Sequence, residues 1–395
     1  MSYCHRNQLS TTRAAPSDGD TDASPGGIAP HRDGAPSDTD AFSALTAILK
    51  TPSLAADFSG RLRLWTEIKR LADIHRLTGW LAHATSHWLP AYERSWRDGV
   101  LMAHHRRHRQ FLNRLGTLME AFAAERIPCV VLKGPVLAER CYATPFLKFS
   151  RDLDLLVRSS DIRAAADAME RLGFVMRGDL PWRLHRKFAH HLTFTGKSEV
   201  QTVDVHYALK AGPRLIASDE WMNRAIEWRS PDGWQCQVLS PPDEVLYLVI
   251  HAAGHAFHRL RWLSDALALA KTLEEADRTR VRSLAIEMGV TGYFVAADMA
   301  CREFFGEPLP VDVTGFKKPW LWSSLQPGHV VVMARRGEYS FGVRALDVCR
   351  MSGTPLSALD LCLENACGRL ATGFYRLRGG ALGPEVLAKS LRREN

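Results

Sequence analysis

The chain has 395 residues, more than a single hydrophobic core usually serves, so two or three domains are expected. Its composition, 46% hydrophobic and 24% charged, is that of a globular protein. No apolar run approaches the roughly 20 residues of a membrane-spanning helix, so we expect no membrane association.

The net charge of +8 comes with two basic runs, at residues 104–116 and 184–191. Basic surface attracts phosphates and nucleic acid over a distance. No RNA-binding signature accompanies these runs, so nucleic acid is not indicated as a partner. Solvated helix faces explain the charge more simply.

Cysteine usage and the N-terminal composition bear on the compartment. The eight cysteines include no CxxC pair, which argues against a zinc ribbon or a disulfide framework. The N-terminal segment lacks the apolar stretch of a secretory signal. We therefore expect a cytoplasmic protein with reduced thiols.

Four regions follow one another along the chain. Residues 1–40 are rich in Ser, Asp, Gly and Pro and predict a disordered tail. Residues 41–125 have apolar residues at helical spacing. Residues 126–240 contain short β-branched or alternating runs, with a helix within "SSDIRAAADAMERLGF". Residues 241–395 return to helical spacing, apart from an irregular stretch near 315–342. The sequence predicts an α+β protein, with a small mixed sheet flanked by N- and C-terminal helical regions.

Two strand-like runs contain carboxylates, which are uncommon in strands. Asp152 and Asp154 belong to "DLDLLV", and Asp204 lies in "TVDVHY" together with His206. Because side chains alternate along a strand, Asp152 and Asp154 should point away from Leu153 and the other apolar residues of that run. If the two strands are neighbours, three carboxylates converge on one patch of the sheet.

Converging carboxylates repel one another unless a cation neutralises them. Oxygen ligands of this kind suit Mg²⁺, which binds a few carboxylates together with substrate phosphates. Two such ions can stabilise the attacking and leaving oxygens of a phosphoryl displacement. Asp152, Asp154 and Asp204 are therefore the predicted metal ligands and catalytic residues, with two Mg²⁺ ions expected.

The turn after the first strand, "LKGP", fits the same chemistry. Gly134 lets the backbone approach a ligand, and Pro135 is favoured in the first turn of a helix. A helix N-terminus with free amides binds phosphate, and Lys133 adds a positive charge. We expect Lys133 and Gly134 to bind the phosphates of a nucleotide.

These motifs together resemble the uncharacterised nucleotidyltransferase family of the DNA-polymerase-β-like superfamily. The resemblance rests on "LKG", "SRDLDLLV", "VDVHYAL" and the later "LSPPDEVLYLVIHAAGHAFHRLRWLSDAL", and it covers about residues 60–270. The superfamily pattern is a glycine turn, a DxD strand and a third carboxylate on a later strand. This chain departs from it in the turn, where Lys-Gly-Pro replaces the usual Gly-Ser.

The resemblance implies Mg²⁺-dependent transfer of a nucleoside monophosphate from an NTP to an acceptor, with pyrophosphate released. ATP is the expected co-substrate. Ser150 and Arg151 are expected to contact the triphosphate beside Lys133 and Gly134. The acceptor is left open, as a hydroxyl of a protein, a peptide, an RNA or a sugar.

Two other functions remain open at this point. The same metal site could transfer the γ-phosphoryl group, because a fold does not decide which phosphorus is attacked. The chain could also be a partner protein that binds a nucleotide without catalysis.

A second group of polar residues is His251, His255 and His258, at the spacing of one helical face. This HxxxH pattern lacks the glutamate of the metalloprotease motif. We therefore expect these histidines to pack the later helices against the sheet. Arg261 and Asp265 are expected to form an ion pair on the helix surface or between domains.

Overall fold

The computed structural model describes residues 38–178, 181–196, 202–211, 214–255, 257–316 and 391–392. Most of the predicted tail, up to residue 37, lies outside these residues, as does most of the irregular stretch near 315–342. The first helix begins at Asp38, close to the end of the tail expected at about residue 40.

Five helices come before the sheet. Their apolar residues recur at helical spacing; in the third helix Trp65, Ile68 and Leu71 are buried. The helices are α1 (Asp38–Lys50), α2 (Ala55–Ser59), α3 (Leu62–Ile74), α4 (Thr78–Ala84) and α5 (Arg94–Ala124).

Strands and short helices alternate in the middle of the chain. They are β1 (Cys129–Leu132), α6 (Gly134–Cys141), β2 (Leu153–Val157), α7 (Ile162–Arg171), β3 (Val175–Arg177), α8 (Trp182–Phe188), β4 (His191–Thr195), β5 (Thr202–His206), β6 (Ala208–Ala211), β7 (Arg214–Ala217), α9 (Ser218–Met222), β8 (Ile226–Arg229) and β9 (Gln235–Val238). The helix predicted between the second and third strand runs is α7, and Gly173 follows its end at φ +81°.

Helical structure resumes at Pro241, as predicted. The later helices are α10 (Pro241–Gly254), α11 (Leu260–Thr272), α12 (Glu275–Glu287) and α13 (Thr291–Phe305). Over the part of the chain that the structure describes, no helix combines the length and the apolar character needed to cross a membrane.

Seven strands form one mixed sheet in the order β3-β4-β5-β2-β1-β9-β8, and β6 and β7 form a separate pair. The central strand β2 runs antiparallel to β1 and parallel to β5. The strands bearing the aspartates are therefore neighbours, which is the condition that the sequence left open. The expected α+β class, with a small mixed sheet and flanking helices, is confirmed.

Two hydrophobic clusters cover the two faces of the sheet. On one face, Leu153, Leu155 and Val205 pack with residues of α5 and α7. On the other face, Leu132 and Leu156 join residues of α1, α3 and α10 to α13. The early and late helices also meet each other, since the rings of Phe42 and Phe304 lie edge to face at 5.8 Å. The two predicted helical regions thus share one core.

A substitution at Val205 tests which side chains of β5 face the core. Its side chain is fully buried among the cluster of α5 and α7. Val205→Ala should therefore lower the free energy of unfolding by about 1 kcal/mol or more, because it leaves a cavity. Urea denaturation measures this loss. Val175→Ala, at a side chain that is 51% exposed in β3, is the matched control and should change stability by less than about 0.5 kcal/mol. Equal effects of the two variants would contradict the assigned register.

Candidate active site

Asp154 and Asp204 lie side by side on neighbouring strands. The parallel register of β2 and β5 pairs Asp154 with Asp204. Residues in register on adjacent strands share a face. Leu153 and Leu155 pack on the opposite face, as the alternation predicted. The aspartates thus face the side of the sheet on which α10 packs.

Asp152 lies one residue before β2 rather than within the strand. The ladder between β2 and β5 begins with Leu153 and Val203, so the strand position expected for Asp152 is wrong by one residue. Asp152 is half-buried and close enough to Asp204 for its charge to contribute to the raised pKa of that carboxyl. The third carboxylate therefore reaches the same patch from the loop.

Lys133 is the closest positive charge to Asp154. Its Nζ lies 3.2 Å from Asp154 Oδ2, and both side chains are almost completely buried. Lys133 has φ +43°, a conformation that favours glycine, and Gly134 follows at φ +67°. This turn after β1 directs the lysine side chain into the site rather than toward solvent. In the structure, Lys133 thus forms a buried ion pair with Asp154.

Two histidines complete the surroundings of this ion pair. His206 Nε2 lies 3.2 Å from Asp154 Oδ1, and His251 Nε2 lies 3.3 Å from Lys133 Nζ. Burial, together with the charge of Lys133, holds the pKa of His251 well below its usual range, so its ring is neutral and accepts the hydrogen bond from the ammonium. His251 packs α10 against the sheet, as expected for these histidines, but its contact with Lys133 was not predicted.

The two central aspartates have opposite pKa shifts. Burial alone would raise the pKa of the Asp154 carboxyl, but Lys133 and the hydrogen bond from His206 outweigh burial and hold the pKa well below its usual range. Burial raises the pKa of Asp204 to about 6, and the negative charge of Asp154 adds to the shift. Thr193 Oγ1 donates a hydrogen bond of 2.6 Å to Asp204 Oδ1. The positive charge of Lys133 thus stabilises the ionised form of Asp154 more than that of Asp204.

The residues expected to contact the triphosphate lie at the edge of this site. Pro135 is in the first turn of α6, as predicted, directly after Gly134. Ser150 is buried, and within the described ranges its Oγ has no hydrogen-bond partner. Arg151 is exposed. Their contacts with a nucleotide stay predictions.

A buried network holds the loop that leads to Asp152. Lys148 Nζ lies 3.1 Å from Asp265 Oδ2, and Tyr142 donates a hydrogen bond of 2.7 Å to Asp265 Oδ1. Arg261 lies 3.7 Å from the same carboxylate. Asp265 is therefore a buried junction between α11, the end of α6 and the loop before β2. This pair does not lie on the helix surface, one of the two positions expected for it.

The later histidines do not share a helical face. The helix α10 ends at Gly254, and Phe257 at φ +50° turns the chain before His258. His255 stacks on Trp262 at 4.5 Å between ring centroids, and His258 meets the same ring edge to face at 4.8 Å. These histidines pack the end of α10 against α11, while His251 alone contacts the site residue Lys133.

The donor set fits Mg²⁺. Three carboxylates supply oxygen ligands, and burial together with the charge of Asp154 raises the pKa of Asp204, so a bound cation would stabilise its ionised form. A second group of possible metal ligands lies nearby. It consists of His190, His191 and His206, whose ligand atoms all lie within 4.8 Å of one another. Among the described residues, the aspartates do not belong to a group that meets this distance.

Comparison with known proteins identifies the family. The sequence model of the family described as uncharacterised nucleotidyltransferase matches residues 62–306, more than half of the chain. The chain belongs to this family, as its motifs predicted, and membership supports nucleotidyl transfer as its general activity. Among curated proteins, no match is found.

One solved structure that the chain resembles is that of the antibiotic-resistance factor ANT(2'')-Ia. The two sequences are 12% identical, and the TM-score is 0.32. The alignment covers 44% of this chain and 93% of that protein.

The Lys133–Asp154 pair makes a prediction about stability. Lys133→Met should lower the free energy of unfolding by about 3 kcal/mol, because it leaves a buried carboxylate without its ammonium. Adding Asp154→Asn should recover much of that loss, since the uncompensated charge is then gone. Urea denaturation at pH 7 in chelator-treated buffer measures both. Losses that simply add in the double variant would mean that the two side chains do not interact.

Asp204 makes a prediction about pH. Its folded-state pKa is raised from 3.8 to about 6, so protonated Asp204 stabilises the fold at low pH, and this contribution is lost as the pH rises through 6. In chelator-treated buffer, Asp204→Asn should therefore gain stability over the parent between about pH 4 and pH 7, by at most roughly 3 kcal/mol.

Denaturant midpoints across the pH range measure this difference. Asp57→Asn, at an exposed position of α2, is the control and should follow the parent at every pH. A difference between Asp204→Asn and the parent that stays constant with pH would show that the carboxyl has an ordinary pKa.

Proposed function

We propose that this protein is a Mg²⁺-dependent nucleotidyltransferase that transfers a nucleoside monophosphate from an NTP to a hydroxyl of an acceptor and releases pyrophosphate. The observation that carries the proposal is the register that pairs Asp154 with Asp204 on one face of the sheet, beside the glycine turn at Gly134. Membership of the nucleotidyltransferase family supports the same reaction.

Asp152, Asp154 and Asp204 would hold Mg²⁺. When bound, the metal would neutralise the phosphate charge and polarise the α-phosphate. Lys133 lies beside Asp154 and is proposed to contact the phosphates of the nucleotide as well. The amides at the start of α6, Ser150 and Arg151 are the groups proposed to bind the triphosphate.

Asp204, together with bound Mg²⁺, would lower the pKa of the acceptor hydroxyl, and Asp204 is the carboxylate proposed to accept its proton. The acceptor oxygen forms a bond to the α-phosphorus, and the bond from that phosphorus to the β-bridging oxygen breaks. Pyrophosphate leaves with the electron pair. Catalysis is then mainly positioning and charge neutralisation.

The co-substrate is proposed to be ATP, and the acceptor class is a protein, a peptide, an RNA or a sugar. The hydroxyl of any of these would meet the same carboxylates. Transfer of the γ-phosphoryl group on the same site is the alternative that the test below separates.

The test uses NTPs labelled at the α- or the γ-phosphate, with Mg²⁺ and panels of candidate acceptors. Nucleotidyl transfer predicts that the α-label enters the acceptor and that pyrophosphate is released. Asp152→Asn should lower the rate at least about 100-fold. Asp204→Ala should lower kcat while NTP affinity changes little, because the interaction is made in the transition state.

Asp57→Asn is the matched control and should keep the parent rate. Entry of the γ-label with release of a nucleoside diphosphate would replace the proposal by phosphoryl transfer. The third possibility is a partner protein that binds a nucleotide without catalysis. Mg²⁺ and NTP binding are therefore also measured by calorimetry. If Asp152→Asn and Asp154→Asn bind both like the parent, the metal assignment is contradicted.

A further inference from the structure

Three histidine rings meet beside the two central aspartates. The ring centroids of His190 and His191 are 4.7 Å apart, and those of His191 and His206 are 5.0 Å apart. His190 and His206 are 5.4 Å apart. Each ring offers one nitrogen, and these three atoms all lie within 4.8 Å of one another.

The strand pairing holds this cluster in place. The antiparallel register of β4 and β5 pairs His191 with His206. The carbonyl of His190 accepts hydrogen bonds from the amides of Tyr207 at 3.0 Å and Ala208 at 3.4 Å, so the residue before β4 is fixed to the end of β5. The three histidines therefore stand on a rigid backbone, as a metal site requires.

In two of the rings, one nitrogen is buried and makes no hydrogen bond to any described residue. His206 is 6% exposed; its Nε2 contacts Asp154 Oδ1, and its Nδ1 has no hydrogen-bond partner among the described residues. The Nδ1 of His191 is likewise buried with no partner in the part of the chain that the structure describes, while its Nε2 lies 4.0 Å from Asp204 Oδ1. A buried polar atom without a partner is costly unless a ligand binds to it.

His206 shows the pattern of a metal-binding histidine. In such sites one ring nitrogen binds the metal and the other donates its hydrogen to a carboxylate, which fixes the tautomer. The ligand must be the neutral imidazole.

We propose that His190, His191 and His206 form a site for a borderline divalent transition metal, Zn²⁺ in the first instance, with a fourth position left for water. Imidazole nitrogens suit Zn²⁺, whereas Mg²⁺ takes oxygen ligands, so the site is chemically distinct from that of the aspartates. Zinc–nitrogen bonds of about 2.1 Å place the nitrogens of a tetrahedral site roughly 3.4 Å apart, so binding draws the rings together by about an ångström.

Metal at this site would also orient the carboxylates. The hydrogen bond of His206 to Asp154 fixes one oxygen of that aspartate, and His191 stands next to Asp204. A metal that fixes the three rings therefore acts as a positioning device for both aspartates. The other group of histidines, around Trp262, packs by ring contacts instead.

The experiment uses the full chain, free of any affinity tag and stripped of metal with a chelator. Co²⁺ is titrated and followed by its visible absorption, and Zn²⁺ binding is measured by calorimetry. We expect one Co²⁺ bound per chain with the intense bands of a tetrahedral ion, which Zn²⁺ displaces and excess Mg²⁺ does not.

His190→Ala and His191→Ala should each weaken Zn²⁺ binding by at least about 100-fold. Both residues are only half-buried, so the variants should fold, and circular dichroism checks this. His255→Ala, from the group around Trp262, is the matched control and should bind Zn²⁺ like the parent. Asp152→Asn should also keep Zn²⁺ binding, because its carboxylate belongs to the other site.

Zn²⁺ binding that survives in folded His191→Ala, or that is lost in His255→Ala, would overturn the proposal. Displacement of Co²⁺ by Mg²⁺ would show that the metal sits on the aspartates instead. Binding is measured without nucleotide, so the outcome is independent of whether the chain transfers a nucleotide.

Discussion

The repulsion between Asp154 and Asp204 is the constraint that organises the site. Their strands bring the two carboxylates into register, and burial removes the water that would screen them. Lys133 neutralises the charge of Asp154, and to do so it adopts a backbone conformation that is rare for lysine. Burial, together with the negative charge of Asp154, raises the pKa of Asp204. Asp204 is therefore the carboxylate at which a bound Mg²⁺ would relieve the most electrostatic cost.

The helices after the sheet also hold residues of the site in place. α10 supplies His251, whose neutral ring accepts the hydrogen bond of Lys133 and so keeps the ammonium directed at Asp154. α11 supplies Asp265, which anchors Lys148 in the loop that leads to Asp152. The later helices thus cover one face of the sheet and hold the residues on which the carboxylates depend. The family match, over residues 62–306, includes these helices.

Sequence periodicity predicted the strands that carry the site, and the alternation of Asp154 with Leu153 and Leu155 was correct. Local patterns failed where a position depends on distant contacts. The edge strand β8 has only four residues and is largely exposed, so its alternation of Ile226 and Trp228 with charged residues was too short a signal. The burial of Lys133, its contact with His251 and the meeting of His191 with His206 depend on which elements are neighbours. For the last of these, alternation would have sufficed once β4 was paired with β5.

The central claim is that Asp154 and Asp204 bind the metal of an NTP complex. Its most direct test is a crystal structure of the chain with Mn²⁺ and an NTP analogue whose α–β bridge cannot be cleaved. The account predicts an anomalous Mn²⁺ peak within bonding distance of both carboxylates, with the triphosphate near the start of α6. A nucleotide bound elsewhere, or carboxylates that contact only Lys133 and His206 when nucleotide and Mn²⁺ are bound, would contradict it.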